Sequence, residues 1–126
     1  MLEASGVPGL VIGTVQKGKP GAIRGFGVTA RQGGRTVDAE TLFQAASLTK
    51  QVTAYAAFAL RDQGRLDFSR TLVSYVDDLP DASPRTVTIR HVLSHSGGFP
   101  NWRFEPGKPL VAAFEPGSRW QYSGEG

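Results

Sequence analysis

The hydrophobic positions of this chain change rhythm twice. Residues 7–16 (VPGLVIGTVQ) are apolar and rich in β-branched side chains, which predicts a mostly buried strand. Residues 17–21 (KGKPG) are dense in turn formers, and residues 22–29 (AIRGFGVT) read as a second strand that Gly25 and Gly27 flatten or bulge. The two runs predict an antiparallel hairpin. Residues 30–41 are polar and Gly-rich, a surface loop. From Ser47 to about Gly64 the period becomes helical: Leu48, Val52, Tyr55, Ala56, Ala59 and Leu60 recur at three and four residues, with Gly64 as the stop. A weaker helical pattern covers residues 69–79. A short helix is expected from Thr88, as N-cap, to about Leu93. Residues 102–119 are broken by Pro-Gly and Pro-Leu steps and read as loop, with a short helix expected around residues 111–114.

Composition narrows the function classes. At 126 residues the chain is one domain, and 40% hydrophobic with 20% charged residues is an ordinary globular balance. The net charge of +3 comes from ten scattered Arg and four Lys with no interleaved aromatic ladder, so no nucleic-acid partner is expected. The chain has no Cys, which excludes disulfides, thiolate metal sites and thiol nucleophiles. The first Lys is Lys17, and the N-terminal apolar stretch is short and interrupted by Gly. It reads as mature protein rather than as a leader or an integral membrane segment, and leaves the compartment open between cytoplasm and export.

Three candidate chemistries emerge. In Ser47-Leu48-Thr49-Lys50 the Lys lies one helical turn from the Ser, on the same face, where it can take the hydroxyl proton or stabilise an alkoxide. The helix N-terminus adds free N–H groups and a positive dipole end. Nine Ser and four Lys give about 0.3 chance matches to this spacing, so the motif alone favours a capping Ser and a solvated Lys; the apolar run before it and the Ala-rich helix after it shift the balance. Tyr122 is a second proton-transfer candidate beside a cation, against the ordinary fate of core packing. His91 and His95, four apart, suit a shared metal, but Val92 stands where H-E-x-x-H has Glu and no third ligand follows, so no metal is expected. Gly25-x-Gly27-x-x-Ala30 lacks the helix a dinucleotide fingerprint requires, and no G-x-S-x-G elbow occurs.

Four ordered blocks resemble one superfamily, that of class C β-lactamases, penicillin-binding DD-peptidases and related esterases. Residues 42–50 (LFQAASLTK) resemble its F-x-x-A-S-x-[ST]-K segment, and residues 64–67 (GRLD) the stretch after the nucleophile helix. Residues 89–100 (IRHVLSHSGGFP) resemble I-R-x-L-L-x-H-[TS]-S-G-[LF]-P, and residues 114–123 (FEPGSRWQYS) resemble F-x-P-G-x-x-[FW]-x-Y-S. The resemblance implies an α+β fold, an antiparallel sheet flanked by helices plus a helical subdomain. Residues 1–46 would be strands and loop, 47–64 the nucleophile helix and 65–126 the helical and loop part. It implies Ser47 as acyl-accepting nucleophile, Lys50 as its activating partner and Tyr122 as general base and acid, with no cofactor. His95 falls in a block that is structural in the superfamily. Gly124 stands where the Y-x-N motif has a substrate-binding Asn, and Trp102 and Phe99 would shape the entrance.

The expected function is therefore a serine hydrolase forming an acyl-enzyme on an ester, amide or β-lactam carbonyl of a small-molecule or peptide substrate. The alternative is a non-catalytic binding or scaffold relative of the same fold. Gly124 in place of Asn weakens a β-lactam or peptide reading and leans toward an ester or another acyl substrate. The superfamily's later strands, its H-x-G or K-T-G motif and one oxyanion-hole donor find no counterpart in these residues. A longer chain or a partner chain is expected to supply them.

Overall fold

The computed structural model describes residues 2–77, 85–103 and 109–126. The chain forms two compact units, Met1–Gln44 and Ala45–Gly126. In the first, a single helical turn, α1 (Leu2–Ser5), precedes strands β1 (Gly9–Gln16) and β2 (Lys19–Gly27), which pair antiparallel from Gly9↔Gly27 to Gln16↔Lys19. Lys17 and Gly18 take φ of 50° and 74°. A two-residue turn with both centres left-handed matches the twist of the strands it joins. The turn is thus shorter than the run of turn formers suggests, and Lys19, Pro20 and Gly21 belong to β2.

The bulge lies elsewhere than at Gly25 or Gly27. Pairing steps from Gly13↔Ile23 to Val15↔Pro20, one extra residue on β2 opposite Thr14, whose hydroxyl donates to the Ala22 carbonyl at 3.2 Å. Gly25 answers to a close approach instead: a Cβ there would meet the Val37 carbonyl oxygen at 2.1 Å. The backbone of Val37 crosses at this point, donates to the Gly27 carbonyl at 3.0 Å and buries its own side chain. β1 was expected mostly buried. Gly9 to Val11 are half-buried and the five residues after them exposed.

In the second unit, a 3₁₀ turn (Ala46–Leu48) leads into α2 (Thr49–Asp62). Ala54, Ala56, Ala57 and Ala59 give α2 high intrinsic propensity. It ends as the sequence predicts. Gly64 is left-handed at φ 71°, its N–H bonds the Arg61 carbonyl, and the Arg65 N–H reaches back to Leu60. These paired bonds satisfy carbonyls the helix end would orphan. Phe58 meets buried Phe68 edge-to-face at 5.1 Å, which ties α2 to the segment after it. Leu48, Val52 and Tyr55, part of the predicted apolar stripe, are exposed.

Two predicted helices do not form. Where a helix was expected over residues 69–79, the described part holds one 3₁₀ turn (Leu72–Ser74), and residues 78–79 lie outside the described set. Cross-strand bonding wins there: Thr71 bridges Thr88, the Leu72 N–H bonds the Val87 carbonyl at 2.8 Å, and the Ile89 N–H bonds the Arg70 carbonyl. Residues 111–114 are not helical either, because the Ala113 N–H is spent on the Gly98 carbonyl at 2.9 Å. The short helix α3 (Ile89–Leu93) does form. Its N-cap Thr88 accepts from the His91 N–H while the His91 ring accepts from the Thr88 N–H.

The core of this unit is Val87, Phe99 and Leu110, with Leu72 and Val92 packed against it. Phe99, expected at the site entrance, is 3% exposed and belongs to this core. Truncating a buried Phe removes transfer energy and leaves a cavity, at a cost of about 3–5 kcal/mol. Phe99→Ala is therefore expected to lower unfolding free energy by about that amount, read as a fall in the urea midpoint.

Candidate active site

Ser47 sits inside the 3₁₀ turn, just after Ala46, whose φ of 44° is left-handed. A non-Gly residue rarely adopts that conformation, and here it re-aims the chain into α2 with the Ser47 side chain exposed. Neither the 3₁₀ turn nor α2 has a side-chain cap. The Ser47 hydroxyl is thus not spent on capping. It receives the Tyr122 hydroxyl at 2.8 Å, across 75 residues of sequence, and the Lys50 Nζ at 3.5 Å, the long limit of a hydrogen bond. Lys50 Nζ also stands 5.3 Å from the centre of the Tyr122 ring. The three side chains singled out in the sequence are therefore brought together, round an open depression of about 500 Å³ that His95 also lines.

The electrostatics of the cluster act on Tyr122. The Ser47 hydroxyl, then the hydrogen bond and charge of Lys50, hold the Tyr122 phenol below its ordinary value, against the opposing effect of desolvation. Ser47 and Lys50 both favour the phenolate. A phenolate at 2.8 Å from Ser47 Oγ is placed to accept the serine proton.

Residues that sequence reasoning did not single out fix Tyr122. Ser123, at 5% exposed, donates through its hydroxyl to the Pro100 carbonyl at 2.9 Å and accepts from the Gly126 N–H at 2.7 Å. The Glu125 carboxylate accepts from the Arg103 backbone N–H at 3.1 Å and from its Nε at 2.7 Å. The Gly124 N–H bonds the Asn101 carbonyl at 3.2 Å. Residues 123–125 are thereby stitched to residues 100–103. Only the YS and GFP motifs in the sequence pointed to these segments, and neither motif implies the pairing between them.

Gly124 and Trp102, expected at the substrate, lie together beyond Tyr122 and do not line the depression round Ser47. A Cβ on Gly124 would meet the Asn101 carbonyl oxygen at 2.6 Å and come within 3.6 Å of the Trp102 ring. The backbone thus leaves no room at position 124 for the side chain that the Y-x-N motif carries. The two histidines do not form a pair on one helix face. His91 is in α3, while His95 lies past its end at φ 54°, and each ring spends Nδ1 on a backbone N–H, of Thr88 and Ser123 respectively.

Comparison with known proteins gives the family. The family profile described as Beta-lactamase matches residues 1–126. The chain belongs to the beta-lactamase family. Within that family it is 31% identical over 131 residues to esterase EstB of Burkholderia gladioli, covering 79% of this chain and 33% of that protein. It is 30% identical over 98 residues to a beta-lactamase of Providencia stuartii, covering 78% of this chain and 25% of that one. A crystal structure of a class C beta lactamase superposes with a TM-score of 0.76 at 25% identity, over 97% of this chain and 37% of the other. The chain therefore spans about a third of the length of these beta-lactamase family members, and it carries their α+β fold. That family is a serine hydrolase superfamily of β-lactamases, esterases and DD-peptidases. Among the described residues no helix is long and apolar enough to cross a membrane.

The Lys50 charge has a measurable signature on its neighbour. In Lys50→Met both its hydrogen bond and its charge are removed, so the Tyr122 phenol is expected to titrate at higher pH, back toward the ordinary tyrosine range. Titration followed on the Cζ signal of labelled tyrosine reads this.

Proposed function

We propose that this chain carries the nucleophile of a serine hydrolase that works through an acyl-enzyme and prefers esters to β-lactams. The observation that carries the reading is the convergence on one serine oxygen of a tyrosine hydroxyl at 2.8 Å and a lysine ammonium at 3.5 Å. Ser47 Oγ attacks the carbonyl carbon while its proton passes to the Tyr122 phenolate. Lys50 supplies the positive charge that keeps the phenolate accessible and steadies the alkoxide as it forms. The Ser47 N–H, in the first turn where amides lack a helical partner, is one donor for the oxyanion of the tetrahedral intermediate. Collapse expels an alcohol that takes the proton back from Tyr122. Water then attacks the acyl-serine by the same path and releases the acid.

The ester preference rests on position 124. The amide-binding Asn implied there by the superfamily motif is replaced by Gly124, and the Asn101 carbonyl at 2.6 Å from the missing Cβ denies that place to any side chain. A site that lacks a donor or acceptor for a substrate amide loses its advantage on amide-bearing substrates and keeps it on simple esters.

The test is turnover of a short-chain p-nitrophenyl ester against a chromogenic cephalosporin. The ester is expected to be the better substrate by at least ~10-fold in kcat/KM. Ser47→Ala is expected to abolish turnover, and Tyr122→Phe to lower it by ~10²–10⁴, the range of general acid–base contributions. Ester turnover that survives in Ser47→Ala would sink the proposal, and cephalosporin turnover exceeding that of the ester would sink its substrate preference.

A further inference from the structure

His95 is in a conformation that needs a reason. At φ 54° it is, with Lys17 and Ala46, one of three left-handed non-Gly residues among the described ones. It lies past the end of α3, with its backbone N–H on the Val92 carbonyl at 3.1 Å. From there it touches four successive residues of the tyrosine segment. Its ring meets Trp120 edge-on at 6.2 Å and lies against the Tyr122 ring at 4.6 Å, tilted by 35°. Its carbonyl accepts the Gln121 N–H at 2.8 Å, and its Nδ1 accepts the Ser123 N–H at 3.2 Å. The residues before and after Tyr122 are thus both hydrogen-bonded to His95, and Tyr122 itself lies against its ring.

Three requirements meet at this position. The backbone must be left-handed, which Asn, Asp and His tolerate better than other side chains. An acceptor must face the N–H of buried Ser123, because an orphaned buried N–H is costly. A flat ring must support the phenol from behind. Only histidine meets all three. An acceptor at Nδ1 places the ring proton on Nε2. Lys50 and Tyr122 are the titratable side chains that share the depression with this ring.

We propose that His95 is the positioning residue for Tyr122, holding its hydroxyl against Ser47 as a neutral imidazole protonated on Nε2. The proposal rests on the hydrolase reading for its consequence on rate, and on geometry alone for its consequence on Tyr122. His95 does not touch Ser47 in the contacts described, so it acts through the tyrosine.

The experiment uses the full chain with ¹⁵N-labelled histidine and ¹³C-labelled tyrosine, together with His95→Phe, His95→Ala and His95→Asn. In the unsubstituted protein, His95 Nδ1 is expected to give an unprotonated, acceptor-type signal and Nε2 a protonated one. His95→Phe keeps a ring but has no acceptor, and His95→Ala has neither. In both, the Tyr122 titration is expected to rise toward the ordinary range, and kcat/KM on the ester to fall about 10²-fold. His95→Asn keeps the left-handed backbone and an acceptor, and is expected to regain at least ~10-fold of that loss. A proton found on Nδ1 in the unsubstituted protein would overturn the proposal, even where the variants fail to fold. So would an unmoved Tyr122 titration in folded Phe and Ala variants. An unsubstituted protein inactive on esters, but whose Tyr122 titration responds to His95 substitution, would sink the hydrolase reading and leave the positioning role standing.

Discussion

The hydrogen bond from the Tyr122 hydroxyl to the Ser47 hydroxyl, 2.8 Å long and spanning 75 residues, is the contact on which the site depends. Without it Ser47 is an exposed serine near a lysine, a common surface arrangement. With it, the serine is joined to a phenol that Ser47 and Lys50 together hold below its ordinary value. The bond is short in space and long in sequence. Chain entropy opposes it, so the segments on both sides must be held by other means.

Much of the second unit serves that end. Buried Phe99 anchors the segment that carries Pro100, Asn101 and Arg103. Those three residues receive Ser123, Gly124 and Glu125, and His95 receives Gln121 and Ser123. Each backbone bond is worth about 1 kcal/mol net, and the Glu125 contacts, being charged, somewhat more. The arrangement also carries strain. Ala46 and His95 both sit at left-handed φ, each costing on the order of 1–3 kcal/mol, and both lie next to a site residue. One directly precedes Ser47 and the other is hydrogen-bonded to the segment that carries Tyr122, so both left-handed residues adjoin the cluster.

What could be read from the residues was local. The two-strand hairpin, the stop of α2 at Gly64 and the Thr88 cap each follow from side chains within a few positions, and each is present. Ordered motifs carried the family and its fold, which the comparisons bear out. The failures were non-local. Residues 71–72 have a helical pattern, but their backbone pairs with residues 87–88. The motif of Phe99 points to the site entrance, but Val87 and Leu110 draw the ring into the core. The clamp of Ser123 and Glu125 on residues 100–103 has no periodic signature, because it depends on which loops meet. Gly124 was legible only as a departure from a motif, and its cause is the Asn101 carbonyl pressed against it.

The central claim is that Ser47 is an activated nucleophile, and covalent labelling tests it most directly. Intact mass is measured after exposure of the chain and its Ser47→Ala variant to a fluorophosphonate. A single adduct on the chain, absent from the variant, is the predicted result. A folded chain that gains no adduct, or a variant that gains the same one, would contradict the account.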